Sequence, residues 1–169
     1  LPFKDIRLIL NRFLQQVERG IREAMRLGQG IMPTYFTHDA ASFEPQQTSD
    51  GSPRMAPYGL PAAAAQSYVL KPVPLFLEGP ARMLLAAREE ELAGMAEMAT
   101  RVKASGIYDK ALKMYKTSES LEALSMEYGR IRAFTPGWLE RESVFLHMEY
   151  KYLLGLLKAG LYEGFFTAM

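Results

Sequence analysis

From Phe3 to Met25 the apolar residues Phe3, Ile6, Ile9, Leu10, Phe13, Leu14, Val17, Ile21 and Met25 recur at steps of three and four. Lys4, Arg7, Arg12, Gln16, Glu18 and Arg22 lie between them. That spacing is the period of an α-helix, so the chain opens on a long amphipathic helix with one apolar stripe. Gly28 and Gly30 end it, and Pro33–His38 follows as an extended piece, because proline fixes its own φ and biases its predecessor away from helix. The helical period returns further on. A second helix is predicted from about Ala81 to Lys103, burying Met83, Leu84, Ala87, Leu92, Met95, Met98 and Val102, with Arg88-Glu89-Glu90-Glu91 as its solvated side. A third is predicted to begin near Glu140, to carry Val144, Phe145, Met148, Tyr152, Leu153, Leu156 and Leu157, and to stop at Gly160, after which a fourth begins.

The connections are long. Residues 39–66 are rich in Ala, Ser, Gln, Gly and Pro and show no period, which predicts an irregular loop with little helix, either a mobile surface loop or an extended excursion toward another part of a larger protein. Between Ser105 and Arg132 the elements are short and mixed. The basic stretch Ile107–Lys116 with its interleaved Tyr is expected as a helix turn whose Tyr and Leu pack inward while Lys reaches solvent. The alternative is a surface that stacks on a sugar or neutralises an anion, and Arg130 and Arg132 are secondary candidates. A closed helical bundle prefers short connections, whereas a toroid of paired helices carries long loops at one end. The expected fold is therefore mainly α, part of an (α/α)6 six-hairpin toroid with long irregular loops.

With 169 residues, 49% of them apolar, the chain is long enough for one core, so residues 1–169 are expected to form a single unit. Twenty Lys and Arg against nineteen Asp and Glu leave no overall field to draw in nucleic acid or an anionic membrane, and neither is an expected partner. The absence of cysteine rules out disulfides and thiolate metal sites and fits a reducing, cytoplasmic setting. No run approaches the roughly 18 to 20 apolar residues that cross a bilayer. Two distant histidines and scattered carboxylates show no metal-ligand spacing, so no metal is expected. Leu1 in place of an initiator Met and an apolar end at Tyr162–Met169 read as a piece of a longer polypeptide, whose remainder is then an expected partner.

The richest chemistry lies in fifteen residues, Ala133–His147, which hold a Pro-Gly turn, two carboxylates, the only Trp and one of two His. A turn that delivers polar groups onto the start of an apolar helix can build an anion or sugar site. The same pattern also describes an ordinary helix entry with an acidic first turn.

Phe134-Thr135-Pro136-Gly137-Trp138-Leu139-Glu140, followed by Val144-Phe145-Leu146-His147, resembles the disaccharide phosphorylases of the cellobiose phosphorylase type. That family carries an aromatic, a Pro-Pro-Gly turn, a Glu-Asn-Gly-Gly sequence and an aromatic-x-His that opens a helix of its toroid. Phe134, Pro136, Gly137, Glu140, Phe145 and His147 stand at the matching spacings. Lys151–Phe166 also looks like the family's following helix, its small-residue break and the next helix. The whole chain resembles part of the large bacterial proteins called cellobiose phosphorylase-like, notably at Gly30–Phe36 and Pro74–Pro80.

The resemblance implies inverting phosphorolysis of a β-linked glycoside to a sugar 1-phosphate, with an oligosaccharide and inorganic phosphate as partners and no cofactor. It implies His147 as the phosphate-binding residue, through a charge-assisted hydrogen bond when the imidazole is protonated. Glu140, Arg141, Phe145 and Trp138 are the implied substrate-binding candidates. Arg141-Glu142-Ser143 replaces the family's Asn-Gly-Gly, so the close backbone approach that paired glycines permit is lost; Arg141 stands there either as a cation for phosphate or in a solvent-facing salt bridge. The family's general acid is an Asp in a Trp-rich motif, and Asp5, Asp39, Asp50 and Asp109 lack that context. No catalytic residue is therefore assigned, and the chain is expected to be inactive alone. The alternative is a noncatalytic helical carbohydrate-binding or assembly module. An inverting hydrolase, the third reading, needs two carboxylates across a water-sized gap, and Glu140 and Glu142 are too close in sequence to settle it.

Overall fold

The computed structural model describes residues 2–169, which carry six α-helices and two two-stranded antiparallel sheets. Helix accounts for 46% of the chain and strand for 19%, which overturns the expected mainly α toroid. Six hairpins require twelve helices in pairs, and here one of the six helices has four residues and another seven. By contact density the chain divides into two compact units, one made of the residues up to Tyr35 together with Val73–Met169, the other of Phe36–Pro72.

In the larger unit, α1 (Phe3–Leu27) confirms the opening period and ends where Gly28 donates to Ala24 O at 2.8 Å. None of its residues is buried, although Met25 packs against the main core. The predicted second helix is broken in two. Helix α2 (Glu78–Ala86) stops because Ala87 and Arg88 turn extended, with ψ of 136° and 164°, and α3 (Leu92–Ala104) begins after a single 3-10 turn at Glu89–Glu91. The run read as a solvated helix side makes this break. The Glu91 carboxylate accepts from the Arg88 backbone N–H at 2.9 Å and its guanidinium at 3.0 Å, closing a local ring that competes with helix.

The predicted third helix also shifts. It begins at Leu146 rather than near Glu140, giving α5 (Leu146–Lys158), because residues 137–142 are spent on tight turns with positive φ at Gly137, Leu139 and Glu142. Helix α6 (Tyr162–Ala168) follows Gly160 as expected. Between α3 and α5, in place of the helix turn expected over 107–116, the chain forms a short hairpin, β3 (Tyr108–Asp109) with β4 (Met114–Tyr115), which buries Tyr115 and leaves Leu112 exposed; the short α4 (Arg130–Ala133) follows.

The main core is Leu77 and Leu84 from the α2 region, Met95, Met98 and Val102 from α3, and Tyr152, Leu153 and Leu156 from α5. Helices α2 and α5 meet at Gly155, where a Cβ would lie 2.8 Å from Leu84 Cβ, so only glycine permits this approach. A second, smaller core gathers Val73, Phe76 and Leu121 beside Leu124, Tyr128 and Ile131. The Glu119 carboxylate stitches the segments that feed it, accepting from Leu75 N at 3.0 Å and Gly106 N at 3.1 Å.

The smaller unit is an antiparallel hairpin, β1 (Phe36–Pro45) with β2 (Ala63–Pro72), in register from Phe36 opposite Pro72 to Pro45 opposite Ala63 with irregularities around Ala40 and Ser42. Residues 39–66, expected as an irregular connection, form no helix and carry much of both strands. Cross-strand side chains hold it: Asp39 pairs with Lys71, Ser42 with Ser67 at 2.6 Å, and Gln66 donates to Glu44 at 3.2 Å.

Candidate functional site

The segments 32–35 and 76–79 pack directly on each other. Gly79 is where they touch, since a Cβ there would lie 2.4 Å from Met32 O. Thr34 locks the junction, its hydroxyl donating to Phe76 O at 3.2 Å and accepting from Gly79 N at 2.9 Å. The Tyr35 ring stands edge-on to Phe76 with centroids 5.1 Å apart.

Strand-like pairing carries this junction to the rest of the unit. Leu77 N donates to Thr117 O at 2.9 Å, Glu119 N to Leu75 O at 2.9 Å, and Thr117 N to Ser143 O at 2.7 Å. The result is a cleft of about 270 Å³ whose lining includes Tyr35, Phe76, Thr117 and Met148. Its charged groups are Glu78, Glu140 and Arg130. Glu78 is half-buried at the start of α2 and engages Arg82 at 2.8 Å; the other two are exposed. An aromatic face beside two carboxylates, a guanidinium and a hydroxyl suits a ligand with apolar C–H faces and a rim of hydroxyls.

Of the residues that the sequence singles out, Glu140 lines this cleft, and so does Arg130 from the secondary pair. His147 is exposed in the first turn of α5, edge-on to Phe145 at 5.1 Å, and the cleft is lined instead by its neighbour Met148. Trp138 is 59% exposed and packs on Phe134 at 5.4 Å. Arg141 is 3% exposed. Its Nη1 donates to Arg132 O and Phe134 O, each at 2.7 Å, and its Nη2 to the Glu122 carboxylate, so its hydrogen-bonding edge faces the protein and not solvent. Arg132 is spent likewise, on Leu124 O at 2.9 Å and Glu122 at 2.9 Å. Arg141 and Arg132 together hold the Glu122 carboxyl below the usual range, the hydrogen bond from Arg141 being the larger cause.

No family model, curated protein or solved structure matches the chain. The cleft's chemistry therefore rests on its own residues. Glu142 is turned inward, accepting from Leu121 N at 3.4 Å and facing Arg141 Nε at 3.6 Å, so it is not free to act opposite Glu140 as a second carboxylate. Among the described residues no cluster of three or more His, Asp or Glu could hold a metal ion, and no helix is long and apolar enough to cross a membrane.

Tyr35, Phe76, Glu78 and Thr117 have no site role in the sequence reading. The signal for three of them was present in two segments, Tyr35 following the Gly30–Pro33 stretch and Phe76 and Glu78 lying between Pro74 and Pro80. Thr117 carries no such mark, and only the backbone pairing of residues 117–119 with 75–77 puts it in the cleft.

Proposed function

We propose that this chain supplies a carbohydrate-binding wall of a sugar-active protein, in which one ring of an oligosaccharide occupies the cleft between Tyr35, Phe76 and Glu140. The observation that carries this reading is the cleft itself, where an aromatic pair meets the Glu78 and Glu140 carboxylates and the Arg130 guanidinium. Its volume lies just below the roughly 300–1,000 Å³ of pockets that enclose drug-sized ligands, which suits a single ring. The C–H face of the ring packs on Tyr35, its hydroxyls donate to the two carboxylates, and Arg130 donates to ring or hydroxyl oxygens.

The likeness of residues 134–147 to disaccharide phosphorylases extends the proposal to phosphorolysis, with inorganic phosphate as the co-substrate and His147 as its ligand. The exposed imidazole of His147 is available to an anion. On this reading the general acid comes from outside these residues, and a cytoplasmic setting accords with the absence of cysteine. A noncatalytic carbohydrate-binding module is the second reading, favoured by His147 lying outside the cleft's lining and by the commitment of Arg141 to the protein's own carbonyls.

Calorimetry with cellobiose and with inorganic phosphate separates the two. Sugar affinity that falls in Glu140→Gln and Tyr35→Ala supports the cleft, and phosphate affinity that vanishes in His147→Ala supports phosphorolysis. Sugar binding indifferent to phosphate supports the module. Absence of affinity for a panel of β-linked disaccharides sinks both.

A further inference from the structure

We infer that Arg141 is a positioning residue whose buried guanidinium clamps α4 to the loop 134–145 and thereby sets Arg130 and Glu140 in place across the cleft. The inference rests on the carbohydrate reading of that cleft. Arg130 and Ile131 reach it from α4, and Glu140 reaches it from the loop. The carbonyls of a helix's last turn have no partner inside the helix. Arg132 O and Phe134 O, at the end of α4, both accept from Arg141 Nη1.

The backbone of the same residue fastens the turn that bears Glu140. Arg141 N donates to Trp138 O at 3.1 Å, and Gly137 N donates to Arg141 O at 2.8 Å. One residue thus holds the end of α4 with its side chain and the Glu140 turn with its main chain. The turn needs holding, because Leu139 and Glu142 adopt φ of 49° and 57°, left-handed conformations that side chains disfavour. Glu122 completes the clamp by bridging Arg141 and Arg132. A lysine at position 141 would keep the charge but not the planar fork that reaches two carbonyls and a carboxylate together.

The test compares the full chain with R141K, E140Q and the double variant, using cellobiose as the probe and the single Trp, Trp138, as an intrinsic reporter of the loop. R141K should weaken cellobiose binding about tenfold or more, consistent with the loss of charged hydrogen bonds. It should also raise the acrylamide quenching of Trp138 while the far-ultraviolet dichroism stays unchanged. E140Q should then cost much less in the R141K background than in the wild type, whereas Tyr35→Ala should cost the same in both. Wild-type quenching in R141K, or fully additive losses with E140Q, overturns the clamp. If the wild type binds no cellobiose, the carbohydrate reading fails, and quenching alone decides the clamp: a rise supports it and no change overturns it.

Discussion

Helices α1 and α5 differ in a way that period alone does not reveal. Helix α1 runs 25 residues with the stronger apolar stripe and buries none of them; α5 runs 13 residues and buries Glu149, Tyr152, Leu153, Gly155 and Leu156. An amphipathic pattern states which side of a helix seeks cover, and packing decides whether it finds it. Helical stability in proteins comes mostly from that cover and little from propensity. The core of the larger unit should accordingly be sensitive at α5 and tolerant at α1.

The sharpest break of this contrast is Leu156→Ala in α5. Leu156 is 1% exposed in the main core, and truncation should cost about 2–5 kcal/mol in a denaturant titration. Gly155→Ala should follow at about 1–3 kcal/mol, because the new methyl meets Leu84 Cβ and forces α2 and α5 apart.

Glu149→Gln tests the polar residue that α5 buries. Its Oε1 accepts from Tyr115 N at 2.8 Å, and among the described residues Oε2 has no hydrogen-bond partner. Burial raises the Glu149 pKa above the ordinary 4.5, the bond from Tyr115 opposing only in part. A carboxyl whose folded pKa is raised binds more protons folded than unfolded. Its favourable contribution is therefore complete below the unfolded pKa and is lost as pH rises through the folded one. The wild-type melting temperature should fall across that window, and Glu149→Gln should flatten the fall; an equal slope in the variant would remove Glu149 as the cause.

A smaller gain is expected from Lys113→Gly. Lys113 sits at φ 57° in the exposed turn between β3 and β4, and glycine there should stabilise the fold by about 1 kcal/mol in a thermal melt. The smallest effect closes the comparison. Phe13→Ala, at a residue 64% exposed on α1, should change stability by less than about 0.5 kcal/mol. A loss as large as that of Leu156→Ala would mean that α1 is covered in solution.

Helix existence was legible wherever the period was sustained, as in α1 and in the Met95, Met98, Val102 stripe of α3. Helix ends were not, where side chains compete for the backbone. Glu91 caps Arg88 and splits what reads as one helix, and Arg141 turns inward to feed carbonyls where an acidic helix start was expected. The 36–72 hairpin was illegible for a different reason: most of its residues are exposed on both faces, so nothing enforced the alternation by which strands are recognised. In the candidate site, Glu140 was found because it lies in a dense local motif. Tyr35, Phe76 and Thr117 escaped because their meeting depends on contacts across more than forty residues.

The point at which the hairpin leaves the larger unit has a consequence for how this chain can be edited. Val73 N donates to Tyr35 O at 3.4 Å, so the ends on either side of residues 36–72 already face each other across one hydrogen bond. The larger unit is spatially nearly continuous at its seam, and the loop-closure entropy of joining Tyr35 to Val73 through a short linker is small. The hairpin is thus an insert with its own stitching, removable as a cassette, and the seam is a natural port for grafting another segment.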